Sequence, residues 1–78
     1  MTREEQAQIQ LEAGRLLYLL NDFDGAAATF EAAAHDAPGD PEILAELSLT
    51  LDTLDAIHHR RRHELAEEIR PSTALGHP

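Results

Sequence analysis

The densest concentration of groups able to do chemistry is the run His58-His59-Arg60-Arg61-Arg62-His63-Glu64. His59, His63 and Glu67 stand four apart, so on a helix they share one face, and two imidazoles with a carboxylate suit zinc or nickel. A working site of that kind draws a further ligand and outer hydrogen-bond partners from another element, and the sequence marks neither. The zinc-protease pattern HExxH is absent, because Glu67 stands where its second His would be. A solvated basic face accounts for the same residues, and no metal or cofactor is assigned.

The three consecutive arginines have planar forks that pair well with carboxylates. They could meet acid on a partner, meet the acidic remainder of a second copy of the chain, or balance their own helix, since Arg60 and Glu64 lie at i, i+4. The adjacent acids Glu4-Glu5 and Glu67-Glu68 face different directions on a helix and imply no pocket, which marks them as solvated groups rather than acid–base catalysts. Tyr18 and Phe23 suit a core or hairpin edge, and His35 a surface position near a helix C-terminus. No nucleophile with a base, phosphate loop or metal motif is visible, so no enzymatic activity is expected.

The elements that carry these residues follow from composition and periodicity. Seventy-eight residues make one domain, near the size at which a core supplies only a few kcal/mol, so a partner or self-association is expected to add stability. Apolar residues are 42% of the chain, Ala is the commonest of them, and the aromatics are Tyr18, Phe23 and Phe30, so a thin core requires closely packed helices. The formal charge is −9 and its placement is uneven: residues 1–57 hold twelve acids against Arg3 and Arg15, while residues 58–70 hold four Arg against three Glu. The acidic body repels phosphates, which argues against nucleic-acid binding. The absence of Cys excludes disulfides and thiolate metal sites. The segment MTREEQAQIQ has no apolar h-region and no run approaches the roughly 20 apolar residues of a membrane span, so a soluble, cytoplasmic protein without membrane partners is expected.

Helix 1 is predicted over about residues 3–20, with Thr2 as N-cap and Glu4 and Glu5 in its first turn. Ile9, Ala13, Leu16, Leu17 and Leu20 recur at helical spacing and are its predicted inward face, widened by Leu11, Tyr18 and Leu19. A stop at Asn21 or Asp22 and a turn over 22–24 lead to helix 2, about 25–36, with Asp24 as cap and Ala26, Ala27, Phe30, Ala33 and Ala34 inward. Ala37-Pro38-Gly39 ends it. Asp40-Pro41-Glu42 is a strong start for helix 3, about 41–69, whose apolar face is Ile43, Leu44, Leu47, Leu51, Leu54 and Ile57. The fold class is therefore all-α, a helical hairpin followed by a long third helix in one domain over 1–70. The alternative is a third segment broken near Asp55. Residues 71–78, with two Pro and one Gly, are predicted to be a flexible tail.

The spacing over about residues 7–40 resembles a tetratricopeptide repeat, a helix–turn–helix unit of about 34 residues. Gly14 matches the small residue of the family's first helix, Ala26 and Phe30 its Ala-x3-Phe, Ala33 the next small position and Pro38 the terminal Pro. Gln10 stands at the family's Trp, Ala13 at its Leu and Leu17 at its Tyr, with Tyr18 one position later, so the first helix departs more. A second repeat would start at Pro41, but Thr53-Leu54-Asp55-Ala56 lacks Gly or Asn for a turn, and Arg60 and Glu64 fall at the Ala and Phe positions. The resemblance implies a hairpin in which Gly14 and Ala26 meet and Phe30 plugs the gap, a covering role for helix 3, and a role in protein–protein interaction.

A continuous helix 3 overhangs the hairpin, and its surplus apolar residues need another surface. The expected partner-binding residues are Leu51, Leu54, Ile57, Arg60, Arg61, Leu65 and Ile69, in a small adaptor or chaperone that forms a homodimer or hetero-complex through helix–helix contacts. The alternative is a pH- or metal-responsive regulator using the His/Arg patch at 58–63.

Overall fold

The computed structural model describes the backbone of residues 1–75 and the side chains of residues 1–68. It contains α1 (Arg3–Leu19), α2 (Phe23–Asp36) and α3 (Pro41–Leu75), with no strand among the described residues. This is the hairpin followed by a long third helix.

Local side chains set each helix start. At α1 the Thr2 hydroxyl accepts from the Glu5 N–H at 3.1 Å while Glu5 Oε1 accepts from the Thr2 N–H at 3.1 Å, a capping box. The Thr2 backbone N–H, and after it the Thr2 hydroxyl, hold the Glu5 carboxyl below the usual carboxylate range. A carboxyl lowered on folding stabilises the fold above its unfolded-state titration, and that contribution is lost as pH falls through the lowered value. Removing the cap by Thr2→Ala is expected to cost about 1 kcal/mol. Urea melts check the loss, and an NMR titration of Glu5 should show its carboxyl returning toward the ordinary range.

α1 closes in a Schellman arrangement: the Asp22 N–H reaches the Leu17 carbonyl at 2.9 Å, the Asn21 N–H reaches the Tyr18 carbonyl at 3.0 Å, and Asn21 takes φ 65°. Asn tolerates that left-handed backbone better than most residues. The closure leaves Asp22 outside the helical region, where its carboxylate accepts from the Gly25 N–H at 3.0 Å and caps α2. Helix 2 therefore starts at Phe23, two residues before the predicted start, and Asp24, the predicted cap, lies in its first turn. Asp40 caps α3, accepting from the Glu42 N–H at 2.9 Å, with Gly39 at φ 85° in the preceding turn.

Phe30, Leu11 and Ile43, one from each helix, form the centre of the core, with Ala7, Ala26 and Ala33 around them. Phe30 lies directly on Gly14, where a Cβ would stand 2.5 Å from its Cε1. Tyr18 meets Phe23 edge to face, ring centroids 4.9 Å apart, and its hydroxyl lies 2.9 Å from Thr53 Oγ1 on α3. Arg15 joins α1 to α3 through Glu42 and Glu46, the latter at 3.3 Å from Nε. The hydrogen bond to Glu42 is the main influence raising the Arg15 guanidinium pKa, opposed by desolvation.

The inward face of α1 differs from the predicted one. Ala7, Leu11 and Gly14 are buried with Leu17 and Tyr18 packed beside them, whereas Ile9, Leu16 and Leu20 point outward and Leu16 is 63% exposed. α1 carries two apolar stripes of the same period on nearly opposite sides, at about 100° per residue. The alanine face of α2 accepts the stripe containing Ala7 and Gly14, because only small residues let Phe30 approach the backbone of α1.

α3 is continuous through Asp55, which rules out the broken alternative, and it runs through Pro71 to Leu75 rather than ending at 69. The Pro ring holds a helical φ and removes one N–H. Of the predicted tail, residues 71–75 are helical in backbone and 76–78 lie outside the described residues. On the hairpin side of α3, Ile43 and Thr50 are buried and Leu47 and Leu54 half-buried, while Leu44 and Leu51 are exposed. Thr50 was not on the predicted apolar face. It is 1% exposed because its hydroxyl donates to the Glu46 carbonyl at 2.8 Å, leaving its methyl to pack.

Candidate functional site

The 35 residues of α3 span roughly 52 Å at 1.5 Å per residue, far beyond the 14 of α2. The molecule is accordingly 68 Å long with a radius of gyration of 18.3 Å. A compact chain of this length would have about 11–12 Å. The stripe of α3 that covers the hairpin, Ile43, Leu47, Thr50 and Leu54, continues along the same side as Ile57 and Arg61 at the hairpin turn and Leu65 beyond it.

The hairpin turn and α3 part at a notch lined by Asp22, Phe23, Asp24, Leu54, Ile57, His58 and Arg61. Beyond it lies a shallow depression formed by Ile57, Arg60, Arg61, Glu64, Leu65 and Glu68. Ile57 is 37% and Leu65 52% exposed. Of the predicted partner-binding residues, the structure brings Ile57, Arg60, Arg61 and Leu65 to one depression, with Leu54 at the adjoining notch. Leu51 lies on a flank of the helix, outside both, and the side chain of Ile69 falls outside the described residues.

Charge on this overhang is segregated. His58 to His63 form a basic block, followed by Glu64, Glu67 and Glu68. Among the described residues no carboxylate comes within 4.0 Å of Arg60, Arg61 or Arg62, and the Arg60–Glu64 pairing that i, i+4 spacing allows is not made. His63 Nε2 does approach Glu67 Oε1 at 3.4 Å, and the His59 and His63 rings lie parallel with centroids 6.4 Å apart. Among the described residues no three His, Asp or Glu side chains converge as metal ligands would.

Two further apolar surfaces lie outside the predicted partner-binding residues. One is a groove between α1 and α3, lined by Arg15, Tyr18, Leu19, Glu46, Leu49 and Thr50. The other is the outward α1 stripe of Ile9, Leu16 and Leu20. A groove between two helices leaves no sequence signal of its own; the α1 stripe has a clear helical period but faces away from the core it was expected to join. No helix among the described residues is long and apolar enough to cross a membrane. No protein-family model matches the chain, and neither a curated protein nor a solved structure matches it.

Proposed function

We propose that the protein is a protein–protein interaction module, a small TPR-like adaptor or chaperone that works through helix–helix contacts along α3. The observation that carries this reading is the continuation of the inner α3 stripe beyond the hairpin turn: Ile57 and Arg61 stand at the notch beside Asp22, Phe23 and Asp24, and Leu65, 52% exposed, lies in a depression that no hairpin residue lines. An isolated helical extension is marginal in water, and most helical stability in proteins comes from packing an apolar face. A partner helix would cover Ile57 and Leu65 and offer carboxylates to the arginines, which is helix-in-groove recognition with charged flanks.

Analytical ultracentrifugation of the full chain together with affinity capture tests this. The expected result is a self-associated species or a captured helical protein, lost in the Ile57→Asp/Leu65→Asp variant while its hairpin stays folded. A folded monomer at high concentration that captures nothing through these residues would sink the reading.

A further inference from the structure

The face that α1 and α3 build around their shared groove, turned away from α2, changes the sign of its charge from one end to the other. We infer that this face is an interface between two copies of the chain, packed antiparallel about a two-fold axis beside Leu16. The inference goes beyond the overhang reading and leaves Ile57 and Leu65 open to a partner helix.

Arg15 reaches Glu46 and Tyr18 reaches Thr53, so α1 and α3 run in the same direction, and Leu16 stands level with residue 51. Glu5, Glu12, Leu16 and Leu19 follow one another on α1 at seven, four and three residues, and Glu42, Leu49, Ala56 and Arg60 on α3 at seven, seven and four, so each set lies along one side of its helix. All eight are exposed. Leu19, at 76%, and Leu49, at 52%, rim the groove. The acids of both helices gather toward their N-termini, and at the opposite end stands Arg60, with no carboxylate within 4.0 Å among the described residues.

A two-fold at the level of residue 51 sets Arg60 of one copy against Glu42 of the other, because the two positions are equally far from it, and brings Leu16 against Leu16. Leu19 then comes level with residue 48 of the second copy, over the groove and beside its Leu49. Glu42 accepts from Arg15 of its own copy and keeps lone pairs for a second guanidinium. The contact uses residues 42–60 of α3 on the side no hairpin residue covers, and the overhang runs on past the end of the second copy. A parallel pair would set Arg60 beside Arg60 and acid beside acid, so the charge order selects the antiparallel one. An isologous contact closes at two copies and adds the apolar burial that a thin core lacks.

Light scattering and sedimentation of the full chain should give twice the monomer mass, falling to the monomer in Leu19→Asp/Leu49→Asp with circular dichroism retained and unchanged in Ile57→Asp/Leu65→Asp. The chain has no cysteine, so single-cysteine variants report orientation. Under mild oxidation Leu16→Cys should cross-link with itself, while Arg60→Cys and Glu42→Cys should cross-link at least several-fold better mixed than either alone. A dimer broken at Leu19 and Leu49 in a chain that captures nothing through Ile57 and Leu65 would support the inference while the overhang reading fell. A monomer that captures a helical protein through Ile57 and Leu65 would overturn the inference and leave the interaction module standing. A monomer that binds a different protein through Leu19 and Leu49, a dimer lost in Ile57→Asp/Leu65→Asp but kept in Leu19→Asp/Leu49→Asp, or one in which Arg60→Cys cross-links best with itself would also overturn it.

Discussion

Phe30→Ala is expected to leave most of the protein unfolded at 25 °C. Phe30 is 0% exposed and is the largest fully buried side chain, set among Ala7, Leu11, Ala26, Ala33 and Ile43. Truncating a buried Phe to Ala typically costs about 3–5 kcal/mol, the lost transfer energy plus the cavity left behind. The walls of this cavity are poorly able to refill it, since Ala7, Ala26, Ala33 and Gly14 have no side-chain length to move inward. A single thin core of this size supplies roughly 3–5 kcal/mol in total, so the loss is comparable to the whole. Far-UV circular dichroism with urea titration at fixed protein concentration reads the effect, and Phe30→Leu, which keeps most of the volume, should retain a cooperative transition. A Phe30→Ala protein as stable as the parent would show that the hairpin is held by something other than this core.

Gly14→Ala is expected to destabilise, although the helix-propensity rule says the opposite. In an exposed helix interior the change gains about 1 kcal/mol. Here the new Cβ would lie 2.5, 2.7 and 2.9 Å from Cε1, Cδ1 and Cζ of Phe30, contacts that real side chains do not make. The ring is enclosed and cannot swing aside without moving α2, and overpacking of this kind costs about 1–3 kcal/mol. The net expectation is a loss of about 1 kcal/mol, and Gly14→Leu should prevent the hairpin from closing. The two positions share a contact, so their effects should not add. Gly14→Ala in a Phe30→Leu background should cost less than in the parent, or stabilise, because the ring atoms it strikes are gone. Equal and independent effects in the double-mutant cycle would mean that the ring does not rest on Gly14.

Local signals in the sequence were sufficient for the three helices and their order. Thr2 with Glu5, Asn21, and Asp40 before Pro41 act on backbone groups within a few residues, and such interactions can be recognised without knowing the rest of the fold. The continuity of α3 past Asp55 is also local, since no residue between Pro41 and Pro71 interrupts a helix. The resemblance implied that Gly14 meets Ala26 with Phe30 plugging the gap; in the folded chain it is the Phe30 ring that lies on Gly14.

What required the tertiary structure was phase and coverage. Period alone could not choose between the Ile9–Leu16–Leu20 stripe of α1 and the Ala7–Leu11–Gly14 stripe, and the larger residues were the misleading ones: close packing on the alanine face of α2 selects small side chains over hydrophobic ones. Thr50 is buried because an intrahelical hydrogen bond satisfies its hydroxyl, a contribution that hydrophobicity does not register. The same holds at the candidate site. The sequence by itself determined which residues of α3 are apolar and basic and that they share a stripe, because that follows from about 100° per residue. Where the hairpin stops covering that stripe, and so which of its residues are left to face a partner, depends on how α1 and α2 pack against α3 and is decided only by the folded chain.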